Sequence, residues 1–145
     1  MKRVFIAGDA YSTRFFELPL EDEELSLMPY LHAASYHVAR FALIMRDGGL
    51  ANIGIRAGDA LLIADFSLEP VRGRPVLVRQ EGQYIVRIAA DVNPVECVFA
   101  AAKEGVAPLV LPSENIRIVG VVSGIISPPY ETGRNGDGDA GEALF

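Results

Sequence analysis

Apolar and polar positions alternate most clearly from Val38 onward. Val38, Arg40, Ala42 and Ile44 interleave with Ala39, Phe41, Leu43 and Met45, which gives one strongly apolar face and predicts a strand. Arg46-Asp47-Gly48-Gly49 ends it as a turn, and Ile55-Arg56-Ala57-Gly58-Asp59 reads as another, before a buried strand over Ala60–Ala64. Pro75–Gln80 and Gln83–Ala89 read as a hairpin around Glu81-Gly82. Val95–Ala100 and Ile116–Ile126 are further strand candidates. Upstream, Val4–Ala7 is a short apolar segment that stops at Gly8-Asp9, and Leu25–Leu31 fits one short helix limited by Pro29. The acidic cluster Glu21, Asp22, Glu23 and Glu24 reads as a solvated loop or a first helical turn. Short strands set apart by Gly, Pro and Asp turns predict a compact, mainly β domain.

Composition narrows the picture. The 145 residues fit one domain and are enough to bury a core without staples. The segment Thr132–Ala143 carries four glycines, three acidic residues and no large apolar side chain, so a flexible tail is expected from Glu131. The expected division is an arm over 1–24, a β domain over 25–130 and a tail over 131–145. A net charge of −6 argues against a general nucleic-acid-binding surface, because phosphates attract cations. The apolar stretch after Met1-Lys2-Arg3 is too short for a signal peptide, and no run approaches the ~20 residues of a membrane span. A cytoplasmic protein is expected. Cys97 is the only cysteine, set in the strand-like Val95-Glu96-Cys97-Val98-Phe99, and reads as a small buried apolar residue. His32 and His37 have no third ligand nearby in sequence, so no metal and no cofactor is expected. Gly48-Gly49 lacks the Gly-Lys-Ser/Thr of a phosphate loop.

Several segments, in order, resemble the LexA/UmuD family of self-cleaving serine/lysine peptidases. Gly54-Ile55-Arg56-Ala57-Gly58-Asp59-Ala60-Leu61-Leu62-Ile63-Ala64-Asp65 is similar to the family's G-I-x-x-G-D-x-L-x-x-x-D segment. Gly82-Gln83-Tyr84-Ile85-Val86-Arg87-Ile88 is similar to G-E-x-T-V-K-x-L, and Ile118-Val119-Gly120-Val121-Val122 to the x-x-G-V-V of the last strand. Leu25-Ser26-Leu27, Leu31 and Phe41 resemble the spacing of the UmuD branch. The likeness spans roughly residues 25–126, and its specificity lies in order and spacing rather than in any one motif. It implies an all-β domain of the LexA/UmuD C-terminal, β-clip type.

The family's chemistry needs a serine nucleophile in G-x-S-M and a lysine that takes its proton, burial having lowered the lysine pKa. Counting back from Gly54-Ile55, the serine motif falls on Asp47-Gly48-Gly49-Leu50, so Gly49 stands at the nucleophile position. The lysine position falls on Arg87, whose guanidinium keeps its proton up to a pKa above ~12. Residues 46–54 contain no Ser, Thr or Cys, so a one-residue shift restores nothing. Ser35, Ser67 and Ser113, with His32 and His37, form no Ser-His-Asp order with a nucleophile elbow. Ala7-Gly8 resembles the Ala-Gly or Cys-Gly bond that family members cut in themselves; a true remnant there implies an uncut arm lying in the old cleft.

The expectation is therefore a non-cleaving UmuD-like pseudo-peptidase that works by binding. The 48 residues before Gly49 leave no room for the helix-turn-helix domain of LexA-type repressors, so no sequence-specific DNA binding is expected. The resemblance implies a homodimer and an accessory role in the SOS DNA-damage response, with a Y-family translesion DNA polymerase and the RecA filament as partners. The apolar run Ile116–Ile126 places that strand near the dimer interface. Two other readings stand beside this one: an unrelated interaction scaffold reusing the fold, and an active self-cleaving peptidase with a relocated nucleophile.

Overall fold

The structure, a computed structural model, describes residues 1–18, 28–65 and 71–134. Ten strands form one sheet: β1 (Lys2–Ala10), β2 (Pro29–Ala33), β3 (Phe41–Met45), β4 (Ala60–Asp65), β5 (Pro75–Gln80), β6 (Gln83–Val92), β7 (Glu96–Ala100), β8 (Leu109–Pro112), β9 (Ile116–Ile126) and β10 (Thr132–Arg134). Their spatial order is β10-β2-β1-β3-β4-β9-β5-β6-β7-β8. All neighbours are antiparallel except β1 and β3. The mainly β architecture read from the turns is present.

β3 and most of β4 are buried on both faces. Phe41, Leu43 and Met45 of β3 enter one apolar cluster with Leu61 and Ile63 of β4 and Leu77 of β5, while Ala42 and Ile44 enter a second with Leu31, Ala60 and Leu62. A third lies at the far end, where Val76, Val78, Ile85, Ala89, Cys97 and Phe99 meet. Cys97 is buried there, as its setting predicted. The turns follow local chemistry. Glu81 (φ 50) and Gly82 (φ 80) both adopt left-handed backbone, as a two-residue hairpin matched to strand twist requires. At the β3–β4 turn the Asp59 carboxylate accepts from Arg56 N at 2.9 Å, and Gly58 N donates to Met45 O.

Several expectations need correction. The short helix over Leu25–Leu31 is not formed at its described end: Pro29–Ala33 is β2, with Leu31 paired to Val4. Proline suits a first strand position, and the free edge of β1 supplies the partner. The strand expected from Val38 begins at Phe41; Val38 is 72% exposed. Within it both sets of side chains are buried, because a central strand is covered on both faces. The stretch read as an arm contributes β1, hydrogen-bonded to β2 and β3, with Val4, Ala7 and Ala10 in the core. The stretch read as a tail contributes Thr132–Arg134, paired with Leu31, Tyr30 and Pro29. The acidic cluster at 21–24, Leu25–Leu27, Ser67 and the rest of the tail lie outside the described residues. β9 is hydrogen-bonded within the chain to β4 on one side and β5 on the other; Val121 and Val122 are buried, and Ile125 is 41% exposed.

Candidate functional site

The turn after β3 is built by Asp47. Its Oδ1 accepts from Gly49 N at 2.9 Å, closing an Asx turn that leads into a single 3-10 turn over Ala51–Ile53. Leu50 and Ile55 are fully buried and anchor this loop from below. Gly49 O accepts from Ala102 N at 2.7 Å, and Asn52 N donates to Ala102 O at 2.9 Å, which ties the turn to the segment after β7.

Arg87 lies in β6 between strongly apolar neighbours. Tyr84 and Val86 enter one apolar cluster, and Ile85 and Ala89 another. Arg87 is 3% exposed. Its Nε donates to Ser12 O at 2.6 Å, and one terminal nitrogen donates to Ala107 O at 3.0 Å and Phe99 O at 3.5 Å. Burial lowers the Arg87 pKa below the usual arginine range, while the charge of Asp47 works in the opposite direction. The surroundings are carbonyl oxygens, which accept hydrogen bonds and give none, so they favour the protonated guanidinium over a neutral base.

Between these two positions runs the segment Tyr11–Phe16. It lies along the part of β6 that β7 leaves open: Phe16 and Tyr84 exchange backbone hydrogen bonds at 2.8 and 2.7 Å, and Val86 N donates to Tyr11 O at 3.1 Å. Asp47 Oδ2 accepts from Ser12 N and Thr13 N, both at 2.9 Å, and from Thr13 Oγ1 at 2.8 Å. Partial burial pushes the Asp47 carboxyl up, but the N–H groups of Thr13, Gly49 and Ser12 and the Thr13 hydroxyl outweigh it, and its pKa falls below the usual carboxylate range. A Cβ built on Gly49 would lie 2.7 Å from Ser12 Cβ and 2.9 Å from Ser12 Oγ. Gly49 does not adopt left-handed backbone, so what it accommodates is the Ser12 side chain rather than an unusual φ. Ser12 is fully buried, and its Oγ has no hydrogen-bond partner.

The structure thus brings Gly49 and Arg87 to two sides of a single residue, Ser12. Ala7 and Gly8 are elsewhere: they belong to β1, where a bulge falls between Ile6 and Gly8 and Gly8 is paired with Leu43. Ser113 donates to Asn93 O and Ser35 is exposed. His32 packs edge-on against Tyr30, and His37 stacks on Tyr36. Among the described residues no group of three or more His, Cys, Asp or Glu is placed to hold a metal ion, and no helix is long and apolar enough to cross a membrane. Sequence reasoning passed over Ser12, Thr13 and Asp47. A small-hydroxyl pair flanked by Tyr11 and Phe16, upstream of an Asp-Gly-Gly turn, was the available signal, but pairing it with Asp47 across 34 positions needs the fold. No family model matches this chain, and no curated protein matches it.

Proposed function

We propose that this protein is a non-cleaving, UmuD-like binding module whose cleft holds the chain's own Tyr11–Phe16 segment without hydrolysing it. The observation that carries the reading is the filling of the Gly49 position by the Ser12 side chain, with Arg87 Nε and one terminal nitrogen donating to carbonyl oxygens. A serine/lysine mechanism needs a hydroxyl and a neutral amine side by side; here one position has no side chain and the other holds a proton it does not release near neutrality. The resemblance adds the biological setting to the proposal: an accessory subunit of the SOS response, paired with a second copy and acting on a Y-family polymerase and the RecA filament.

The test is incubation of the chain with activated RecA filament, and separately at alkaline pH, followed by intact-mass analysis. The chain is expected to keep its full mass. A new fragment starting anywhere from Gly8 to Phe16 would sink the reading. Affinity capture with polymerase and RecA tests the proposed partners.

One observation favours a second reading, a relocated nucleophile. The Ser12 hydroxyl is buried beside its own backbone and has no partner. The same observation weighs against it, since a hydroxyl that donates to nothing has no base to take its proton. Labelling with a serine-reactive phosphonate separates the two readings, and the first expects no adduct on Ser12.

A further inference from the structure

A recess of about 670 Å³ lies between the turn after β6, β7, the start of β9 and the residues Arg40 and Asp65 that flank β3 and β4. It shares no lining residue with the site built by Asp47, Gly49, Ser12 and Arg87. We infer that this recess is a binding site for a small organic monoanion, a carboxylate with a short aliphatic body. The inference goes beyond the proposed function and stands independently of it.

The apolar lining comes from Val92, Ile116, Ile118 and Val119, each half-buried and packed against a core cluster. The neutral polar groups beside them are spent on one another. Ser113 Oγ donates to Asn93 O and lies 3.3 Å from Cys97 Sγ. Asn93 Oδ1 accepts from Val95 N and Glu96 N, both at 2.9 Å, and its Nδ2 donates to Asp91 Oδ2 at 3.1 Å. What remains to meet a ligand is cationic. Arg40 commits one terminal nitrogen to Asp65 at 2.9 Å. Arg117 is exposed, and among the described residues its guanidinium makes no hydrogen bond or ion pair. Its cross-strand neighbour on β5 is Arg79, a like charge whose repulsion a bound anion relieves. Glu81 and Glu114 line a smaller recess that Arg79 and Arg117 also border, and neither pairs with Arg117. Arg40, Arg117 and Asp65 give the larger recess a net charge of +1 in a chain of net charge −6. A monoanion neutralises that charge, whereas a dianion also meets the Asp65 carboxylate. The planar fork of Arg117 offers a carboxylate two parallel N–H donors, and the half-buried wall takes the aliphatic body. The volume is that of an ordinary small-molecule pocket.

The test titrates the isotopically labelled full chain with octanoate. Saturable shifts of the Ile116 and Ile118 methyl groups are expected. Octanamide keeps the body and loses the charge, and should bind about tenfold more weakly. Acetate keeps the charge and loses the body, and should not saturate. Arg117→Gln should weaken octanoate about tenfold and leave the fold unchanged, since the side chain is exposed. Asp65→Asn removes the carboxylate that holds Arg40 and should tighten octanoate about two- to fivefold. The inference fails if octanoate leaves both isoleucines unmoved, if octanamide binds as octanoate does, or if Arg117→Gln binds as the parent does. It fails equally if Asp65→Asn weakens binding, or if the saturable shifts fall around Arg87 instead.

Discussion

Ser12 and Gly49 share one side-chain site: a Cβ on Gly49 would stand 2.7 Å from Ser12 Cβ, so only one of the two positions can carry a side chain there. Gly49 is the condition for the Tyr11–Phe16 segment to pack with its serine buried. Gly49→Ser is expected to lower stability by about 1–3 kcal/mol through overpacking. Adding Ser12→Gly should recover most of the loss, because the two residues act on one volume. Denaturant unfolding of the four chains of this cycle measures the coupling. Additive losses would mean that the two side chains do not compete.

Asp47 makes the docking of that segment pH-dependent. Its carboxylate accepts three hydrogen bonds from Ser12 and Thr13 and one from Gly49, and these hold its pKa below the usual range although burial pushes the other way. A depressed folded-state pKa means that its stabilising contribution is fully present above the unfolded value of ~4 and is lost as pH falls through the folded value. Hydrogen exchange at the Ser12 and Thr13 amides should accelerate on acidification below about pH 4, relative to core amides of β3. In Asp47→Ala these amides should be weakly protected at every pH, with a loss of about 1.5–3 kcal/mol in local stability. Protection that persists in Asp47→Ala would show that the backbone pairing to β6 alone seats the segment.

Gly120 is the glycine of the third motif, and its role is close approach between strands. A Cβ there would lie 2.5 Å from Ala64 O and 2.7 Å from Ile63 Cγ2, beside the register shift of β9 against β5. The nearest atom is backbone and cannot rotate away. Gly120→Ala should destabilise the chain by about 2–4 kcal/mol, outside the usual range for a surface change. A thermal midpoint within a degree of the parent's would contradict this.

The sequence carried most of the strands and little of the site. The Glu81-Gly82 hairpin and the limits of β9 were legible because turn residues and apolar runs are local signals. Period-2 alternation misled at Val38, since in a doubly covered strand both faces are apolar. The helix expected before Leu31 failed because the pairing of β2 with β1 is long-range and overrides local preference. At the candidate site, Gly49 and Arg87 stood out only through the spacing of the proposed resemblance. Ser12 was not, since nothing local marks a serine as buried, and Asp47 hid behind the ordinary reading of Asp-Gly as a turn.

If Gly49 and Arg87 stand at the serine and lysine positions, as proposed, installing both residues asks which bond would be cut. Gly49→Ser alone should leave the chain intact, because Arg87 keeps its proton, and Arg87→Lys alone supplies no nucleophile. The two together still confront Ser12, whose side chain occupies the place the new hydroxyl needs. The informative chain is therefore Ser12→Gly, Gly49→Ser and Arg87→Lys combined, in which the site is emptied before it is rebuilt. Any cut it makes should fall at a peptide bond of residue 12, because that residue lies between positions 49 and 87. Ala7-Gly8 should stay whole, since Gly8 is paired with Leu43 inside the sheet and would have to leave β1 to reach the cleft. Fragment masses decide between these bonds. A product starting at Gly8 would mean that β1 exchanges into the cleft, and that the segment seen there is a substitute for the true substrate. Cleavage by Gly49→Ser alone would mean that some residue other than position 87 accepts the proton.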